Sequence, residues 1–122
     1  MLWLMAALLV KHFVADFPLQ TPYMLQKGRR EGWAVPLLAH CTVHGAMTLA
    51  IVMIIGAGLP LALYCAASEV VAHFAIDRLK AHPDLGGRWN PSHPQFWWAL
   101  GADQLAHGLC YIAICAAVIP CK

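Results

Sequence analysis

Four apolar segments, separated by turns rich in proline, glycine or charge, cover most of the chain. The first should end before Pro18, because the residue preceding a proline is disfavoured in the helical region. We predict an all-α fold, a four-transmembrane-helix bundle in a single integral membrane domain spanning residues 1–122. The first helix is just long enough for a hydrocarbon core that needs about 20 residues. The segments are residues 2–17, 36–56, 59–81 and 95–119.

The first loop contains a short element of its own. Thr21 followed by Pro22 is typical of a helix start, and Gly28 is typical of a helix end. The sequence therefore predicts a short interfacial helix between these residues. No internal repeat is evident along the chain.

Basic residues indicate the orientation, since loops rich in Lys and Arg stay on the cytoplasmic side. The second loop holds none, whereas the first and third hold Lys27, Arg29, Arg30, Arg78, Lys80 and Arg88. We therefore expect a multi-pass protein of the bacterial inner (cytoplasmic) membrane, with loops 1 and 3 cytoplasmic and the termini outward.

Composition supports a membrane protein. Hydrophobic residues make up 61% of the chain and charged residues 11%, against roughly 45–50% and about 25% in soluble domains. The net charge is only +2 and no basic face is evident, so we expect the lipid bilayer, and no nucleic acid, as a partner. The oligomeric state stays open. The five cysteines lack paired spacings and are interpreted as packing residues, with Cys110 as an outside candidate ligand.

Each apolar segment carries acidic or histidine residues spaced four apart, which places them on one face of a helix. Ionisable groups inside hydrocarbon are costly and therefore rare unless the bundle interior compensates them. A buried metal centre is the obvious compensator. The nine candidate ligands are His12, Asp16, His40, His44, Glu69, His73, Asp77, Asp103 and His107.

These candidates fall at similar depth, within about 12 Å of the helix ends that face loops 1 and 3 at about 1.5 Å per residue, with Glu69 and His107 deeper. Four carboxylates would be neutralised by two divalent cations, and nine ligands are too many for one ion. The sequence predicts a dinuclear centre, with Zn²⁺ as the expected metal and Fe as the alternative. Carboxylates are a poor surround for a bis-histidine haem, and a proton relay would need polar groups in the other, apolar halves of the helices.

The ordered motif resembles a family of small bacterial and phage membrane proteins, the domain of unknown function 3307, over nearly the whole chain. Besides the nine candidates, the similarity rests on Phe17, Gln20, Lys27, Lys80 and Gln104. The resemblance implies that Gln20, Lys27, Lys80 and Gln104 are supporting residues. The chain is also distantly similar to small membrane-bound metal-dependent hydrolases, an analogy at the level of fold alone.

Hydrolysis is the leading hypothesis, because a dinuclear centre can polarise a substrate oxygen and activate water. The basic loops would attract an anionic headgroup, so the expected substrate is amphiphilic or lipid-like, and a phosphate is one headgroup that fits this charge. Glu69, the deepest carboxylate, is the candidate general base or acid. Lys11 lies on a different face from His12 and either snorkels or pairs with a carboxylate.

Two other functions stay open. A di-iron oxidase or oxygenase would also use carboxylate and His ligands from four helices, although its usual Glu and His lie three apart rather than four. A non-enzymatic metal-binding or transport component would need a path through the apolar halves of the helices, and the sequence shows none.

Overall fold

The computed structural model describes residues 1–119, and every regular element in that range is helical. The prediction of an all-α chain with four helices is confirmed, and the short helix in the first loop is a 3₁₀ helix. The elements are α1 (Leu2–Asp16), the first 3₁₀ helix (Met24–Gly28), α2 (Ala34–Ile54), α3 (Leu59–Ala81), the second 3₁₀ helix (Gly86–Arg88) and α4 (Pro94–Val118). Cys121, interpreted above as a packing residue, lies outside the described residues.

Three segments are long and apolar enough to cross a membrane: Ala34–Ile54, Leu59–Arg88 and Pro94–Val118. The first helix is shorter, with 15 residues, or about 22 Å at about 1.5 Å per residue, against a hydrocarbon core of about 30 Å. Three of the four predicted spans therefore meet the length and composition of a membrane helix, and the protein is a membrane protein on that basis.

The helices pack as a ring in which each contacts its neighbours in sequence and α1 closes against α4. The most extensive contact joins α2 and α3. Gly45 on α2 permits it, because a Cβ at this position would lie 2.5 Å from Cγ2 of Val70 on α3. Small residues at such interfaces allow membrane helices to approach closely.

Polarity is inverted relative to a soluble protein. Large apolar side chains such as Phe13, Leu63 and Leu105 are exposed on the outside of the bundle, whereas histidines and carboxylates are buried within it. A surface of this kind is suited to lipid, since soluble monomers rarely expose large contiguous apolar patches. The interior is divided along its length. An apolar core that includes Leu8 and Val52 fills the half near the chain termini, and the polar residues fill the half near loops 1 and 3.

Candidate metal centre

All nine predicted ligands point into the bundle. Eight of them are buried, and the side chain of Asp16 is 17% exposed at the loop end of the bundle. The spacing of four residues aligns each set along its own helix, and the ring of helices turns all four sets inward. The structure therefore brings side chains from four different helices into one cluster.

The first group of close ligand atoms joins α1, α2 and α3. It consists of Asp16, His40, His44 and His73, each offering one atom within 4.8 Å of the others. Oδ1 of Asp16 lies 3.2 Å from Nε2 of His40 and 3.0 Å from Nε2 of His44. The ring of His73 lies against that of His44, with centroids 3.8 Å apart. Asp16 thus faces two imidazoles of the neighbouring helix.

Two further groups are centred on α4 and share His107. One contains His12, His73 and His107, and the other contains Asp77, Asp103 and His107. Nε2 of His107 lies 3.2 Å from Oδ1 of Asp77 and 3.6 Å from Oδ1 of Asp103. His73 belongs to the first group and to the group that contains His12, and His107 links that group to the third. The three groups therefore form one continuous cluster.

Several atoms of the cluster are buried without a hydrogen-bond partner among the described residues. They include both ring nitrogens of His40 and of His73, Nε2 of His12 and Oδ1 of Asp103. Some lie close to carboxylates, as Nε2 of His12 does at 3.0 Å from Oδ2 of Asp16, but without the alignment of a hydrogen bond. Unpartnered buried polar atoms are costly. Their convergence suits a cation, to which nitrogen and oxygen lone pairs are directed.

Glu69 lies apart from the three groups. Its Oε1 accepts a hydrogen bond from Nζ of Lys11, and its Oε2 accepts one from the hydroxyl of Thr48. The nearest imidazole atom is Nδ1 of His44, at 3.8 Å from Oε1, which is too long for a hydrogen bond. Its predicted roles as ligand and as base stay predictions, and its position behind His44 favours the second.

Lys11 points into the bundle instead of towards lipid. Besides Glu69, its ammonium group contacts the backbone oxygen of His44 at 3.3 Å and Nδ1 of the same residue at 3.5 Å. Of the two fates considered from the sequence, pairing with a carboxylate is the one observed.

Two of the four supporting residues are lysines that contact carboxylates of the cluster. Nζ of Lys27 lies 2.5 Å from Oδ2 of Asp77, and Nζ of Lys80 lies 3.3 Å from Oδ2 of Asp103. With Lys11, three lysines therefore partner three of the four carboxylates. The sequence predicts two divalent cations because four carboxylates need compensation. That inference does not hold, since the lysines already compensate three of the four. The number of ions must be argued from ligand geometry.

The two glutamines lie at the edge of the cluster. The side-chain amide of Gln104 donates to Oδ2 of Asp103 at 2.9 Å, and that of Gln20 donates to the backbone oxygen of Asp16 at 2.7 Å. Both contacts hold ligand-bearing residues in place. Neither glutamine belongs to the groups of close ligand atoms.

Sequence reasoning missed two polar contacts one helical turn deeper in the bundle. The hydroxyl of Tyr111 lies 2.7 Å from Nδ1 of His12, and Thr48 contacts Glu69. The signal was present, because Thr48 follows His44 by four residues and Tyr111 follows His107 by the same interval. Hydrogen bonds of this kind orient imidazole ligands by holding the ring nitrogen that does not face the metal.

Loops 1 and 3 pack together at the end of the bundle nearest the cluster. Arg30 donates two hydrogen bonds to Asp84, at 2.7 and 2.8 Å, and the guanidinium of Arg78 stacks 3.9 Å from the ring centre of Trp33. The bonds from Arg30 hold the pKa of the Asp84 carboxyl below its ordinary value.

Two grooves lie between α3 and α4, and each is lined by one of the nine predicted ligands. One, of about 290 Å³, has apolar walls such as Ile76 and Ala106 and includes Lys80 and Asp103. The other, of about 220 Å³, lies further towards the termini and includes Glu69 and Cys110. Cys110 lines this groove and belongs to none of the ligand groups found among the described residues.

Comparison with known proteins identifies the family. The family model described as a protein of unknown function, DUF3307, matches residues 4–122. The chain belongs to the DUF3307 family. This confirms the membership expected from the motif, while the similarity to membrane-bound hydrolases stays a prediction. No curated protein and no solved structure matches the chain.

Proposed function

We propose that this DUF3307 protein is a membrane-embedded metal-dependent hydrolase, with a dinuclear His/carboxylate centre that opens towards the cytoplasmic leaflet. One observation carries the proposal: the convergence of ligand atoms from four helices, several of them buried without a hydrogen-bond partner within residues 1–119. Zn²⁺ is the proposed metal, since imidazoles dominate the ligand set and Zn²⁺ binds imidazole and carboxylate together.

The charges of the cluster favour an anionic substrate. Divalent cations at such a centre polarise substrate oxygens and lower the pKa of bound water to about 7. Because Lys11, Lys27 and Lys80 already partner three carboxylates, two dications would leave the centre with excess positive charge. An anionic headgroup such as a phosphate ester would compensate it.

The groove that contains Lys80 and Asp103 is the proposed entrance for the substrate. Its apolar walls would hold part of an alkyl chain, while the ammonium group and carboxylate at its inner end would face the headgroup. An amphiphile could then reach the centre sideways from the bilayer. This supports a lipid-like substrate over a freely soluble one.

Glu69 is the proposed group for proton transfer. It lies next to His44 but outside the three ligand groups, so its carboxylate is not assigned to an ion and is the proposed base beside the ions. The contacts from Lys11 and Thr48 would hold it in one orientation. A base of this kind should matter for turnover and little for metal content.

The test begins with elemental analysis of protein purified in detergent, followed by hydrolysis of a chromogenic phosphate ester and of phospholipid in mixed micelles. We expect two zinc ions per chain and activity that chelation abolishes and zinc restores. Glu69→Gln should keep the metal and lose at least about 100-fold in turnover, in line with general-base catalysis. Protein without bound metal would overturn the proposal, and two irons with visible absorption would favour oxygen chemistry instead.

A further inference from the structure

The ligand set is repeated between the two halves of the bundle. On α1 His12 precedes Asp16 by four residues, and on α3 His73 precedes Asp77 by the same interval. These helices run in the same direction and face each other across the ring. Each carries an imidazole followed, one turn nearer the loops, by a carboxylate.

The partner helices repeat the arrangement. On α2 His40 precedes His44, and on α4 Asp103 precedes His107, again four residues apart. The four-residue spacing continues on both helices to a hydroxyl, that of Thr48 on α2 and that of Tyr111 on α4. The hairpins α1–α2 and α3–α4 therefore carry similar polar positions, with two differences: His40 corresponds to Asp103, and Glu69 on α3 corresponds to the apolar Leu8 on α1.

Contacts within each hairpin repeat as well. Oδ1 of Asp16 lies 3.0 Å from Nε2 of His44, and Oδ1 of Asp77 lies 3.2 Å from Nε2 of His107. Each aspartate also lies near the imidazole one turn away on its own helix, at 3.0 Å in α1 and 3.4 Å in α3. The two halves thus build the same local geometry.

Contacts between the hairpins are exchanged. The ring of His73 from the second hairpin lies 3.8 Å from that of His44 in the first, and the ring of His12 from the first lies 4.8 Å from that of His107 in the second. His73 accordingly joins the first ligand group, and His12 forms a group with His107 that also contains His73. Each half contributes one imidazole to the ligands of the other.

We propose that each hairpin builds one metal site and lends one imidazole to the other site, an assignment that rests on the dinuclear centre proposed above. Site one consists of Asp16, His40, His44 and His73. Site two consists of Asp77, Asp103 and His107, which form one group of close ligand atoms, and of His12, which belongs to the group that shares His107 with it. Each has four protein ligands, so a water bound for hydrolysis would be a fifth ligand, a coordination number that Zn²⁺ can adopt.

The difference between His40 and Asp103 makes the two sites unequal. Site one has three imidazoles and one carboxylate, whereas site two, with Asp103 in place of the imidazole of His40, has two of each. Imidazole suits Zn²⁺, while carboxylates suit harder cations such as Mn²⁺. Site one should therefore retain Zn²⁺ more tightly, and site two should be the one that accepts Mn²⁺.

The test uses the full chain in detergent, stripped of metal and titrated with Zn²⁺ against a chromophoric chelator. Wild type should bind two ions in two steps whose dissociation constants differ by about 10-fold or more, the scale on which changes around a metal alter affinity. Mn²⁺ added to protein with one Zn²⁺ should show the paramagnetic resonance signal of a single bound ion. Two steps of equal affinity would overturn the inequality of the sites.

Matched variants test the exchange of imidazoles. His73→Ala should weaken the tight Zn²⁺ step and leave the Mn²⁺ signal, whereas His12→Ala should leave the tight step and weaken the Mn²⁺ signal. His93→Ala, which alters an exposed loop histidine, is the control and should change neither. The opposite assignment of the two variants, or identical effects from both, would overturn the exchange while leaving a dinuclear centre intact.

The alanine variants could lose metal because they fail to fold, and Asp103→His provides a test that does not remove a side chain. It places in site two the residue type found at the equivalent position of site one, His40. It should bring the second Zn²⁺ step to within about threefold of the first and abolish Mn²⁺ binding, since the carboxylate preferred by the harder ion is removed. Unchanged steps would contradict the assignment of Asp103 to site two. Wild-type protein that binds no metal at all would instead overturn the proposed function.

Discussion

The buried pair formed by Lys11 and Glu69 offers the sharpest test of the interior. Both side chains are only 2% exposed, so water screens their interaction little. Replacing Lys11 by Met keeps the length of the side chain and removes its charge, which leaves the carboxylate buried in the bundle without its cationic partner. Breaking a buried pair by removing one partner costs about 3–5 kcal/mol.

The double variant Lys11→Met with Glu69→Gln should be more stable than Lys11→Met alone. A neutral amide can keep the hydrogen bond from Thr48 through its oxygen and has no charge to compensate. Most of the destabilisation expected of Lys11→Met alone should therefore disappear. We expect a coupling energy of about 2–4 kcal/mol between the two positions. This is larger than the average hydrogen bond between membrane helices, about 0.6 kcal/mol, because charge is involved.

Reversible unfolding in mixed detergent micelles, followed by tryptophan fluorescence, measures the free energy of unfolding of the wild type and the three variants. Arg30→Ala is the control, since it removes the exposed pair with Asp84 and should change the free energy of unfolding far less than Lys11→Met does. A coupling energy below about 0.5 kcal/mol would refute the reasoning, because a buried ion pair this enclosed should couple more strongly than that.

Three further predictions follow from the packing and the loops. Tyr111→Phe removes the hydroxyl that holds Nδ1 of His12 and should weaken metal affinity about 10–100-fold in competition with a chelator; unchanged affinity would show that this contact does not orient the ring. Gly45→Ala should destabilise the protein by about 1–3 kcal/mol through overpacking. Adding Val70→Ala should recover most of the lost stability, since Cγ2 of Val70 is the nearest obstacle; a double variant no more stable than Gly45→Ala would place the obstacle elsewhere. The carboxyl of Asp84, whose pKa is lowered in the folded state, stabilises the fold above its unfolded pKa and loses that contribution as the pH falls through the folded value. Its carbon resonance should titrate below the ordinary range in wild type and return towards it in Arg30→Ala.

Helix positions followed closely from local pattern. The third segment was predicted at 59–81, where α3 lies, and the fourth differs from α4 by one residue at each end. Proline and glycine mark these boundaries through backbone sterics that act within a few residues. Length is a weaker guide to spanning, because α1 has the composition of a membrane helix but only 15 residues.

The polar cluster was only partly predictable. Spacing of four residues identified which residues share a helix face, but it left open whether Lys11 snorkels or pairs with a carboxylate, and the repeat between the hairpins went unrecognised. That repeat is carried by a few polar positions, while the apolar residues between them differ freely because lipid-facing positions need only be apolar. Similarity of this kind is recognised by comparing the side-chain contacts of the two hairpins and not their amino-acid sequences alone.

The sequence by itself determined that the chain is helical, that its helices suit a membrane, and that each carries ionisable residues on one face. Those properties depend on periodicity and local sterics, which act within a single helix. Only the tertiary structure decided which atoms meet: Asp16 with the imidazoles of α2, three lysines with three carboxylates, and His12 and His73 across the two hairpins. These contacts depend on the order and rotation of helices in the ring, and both are set by packing between segments distant in sequence.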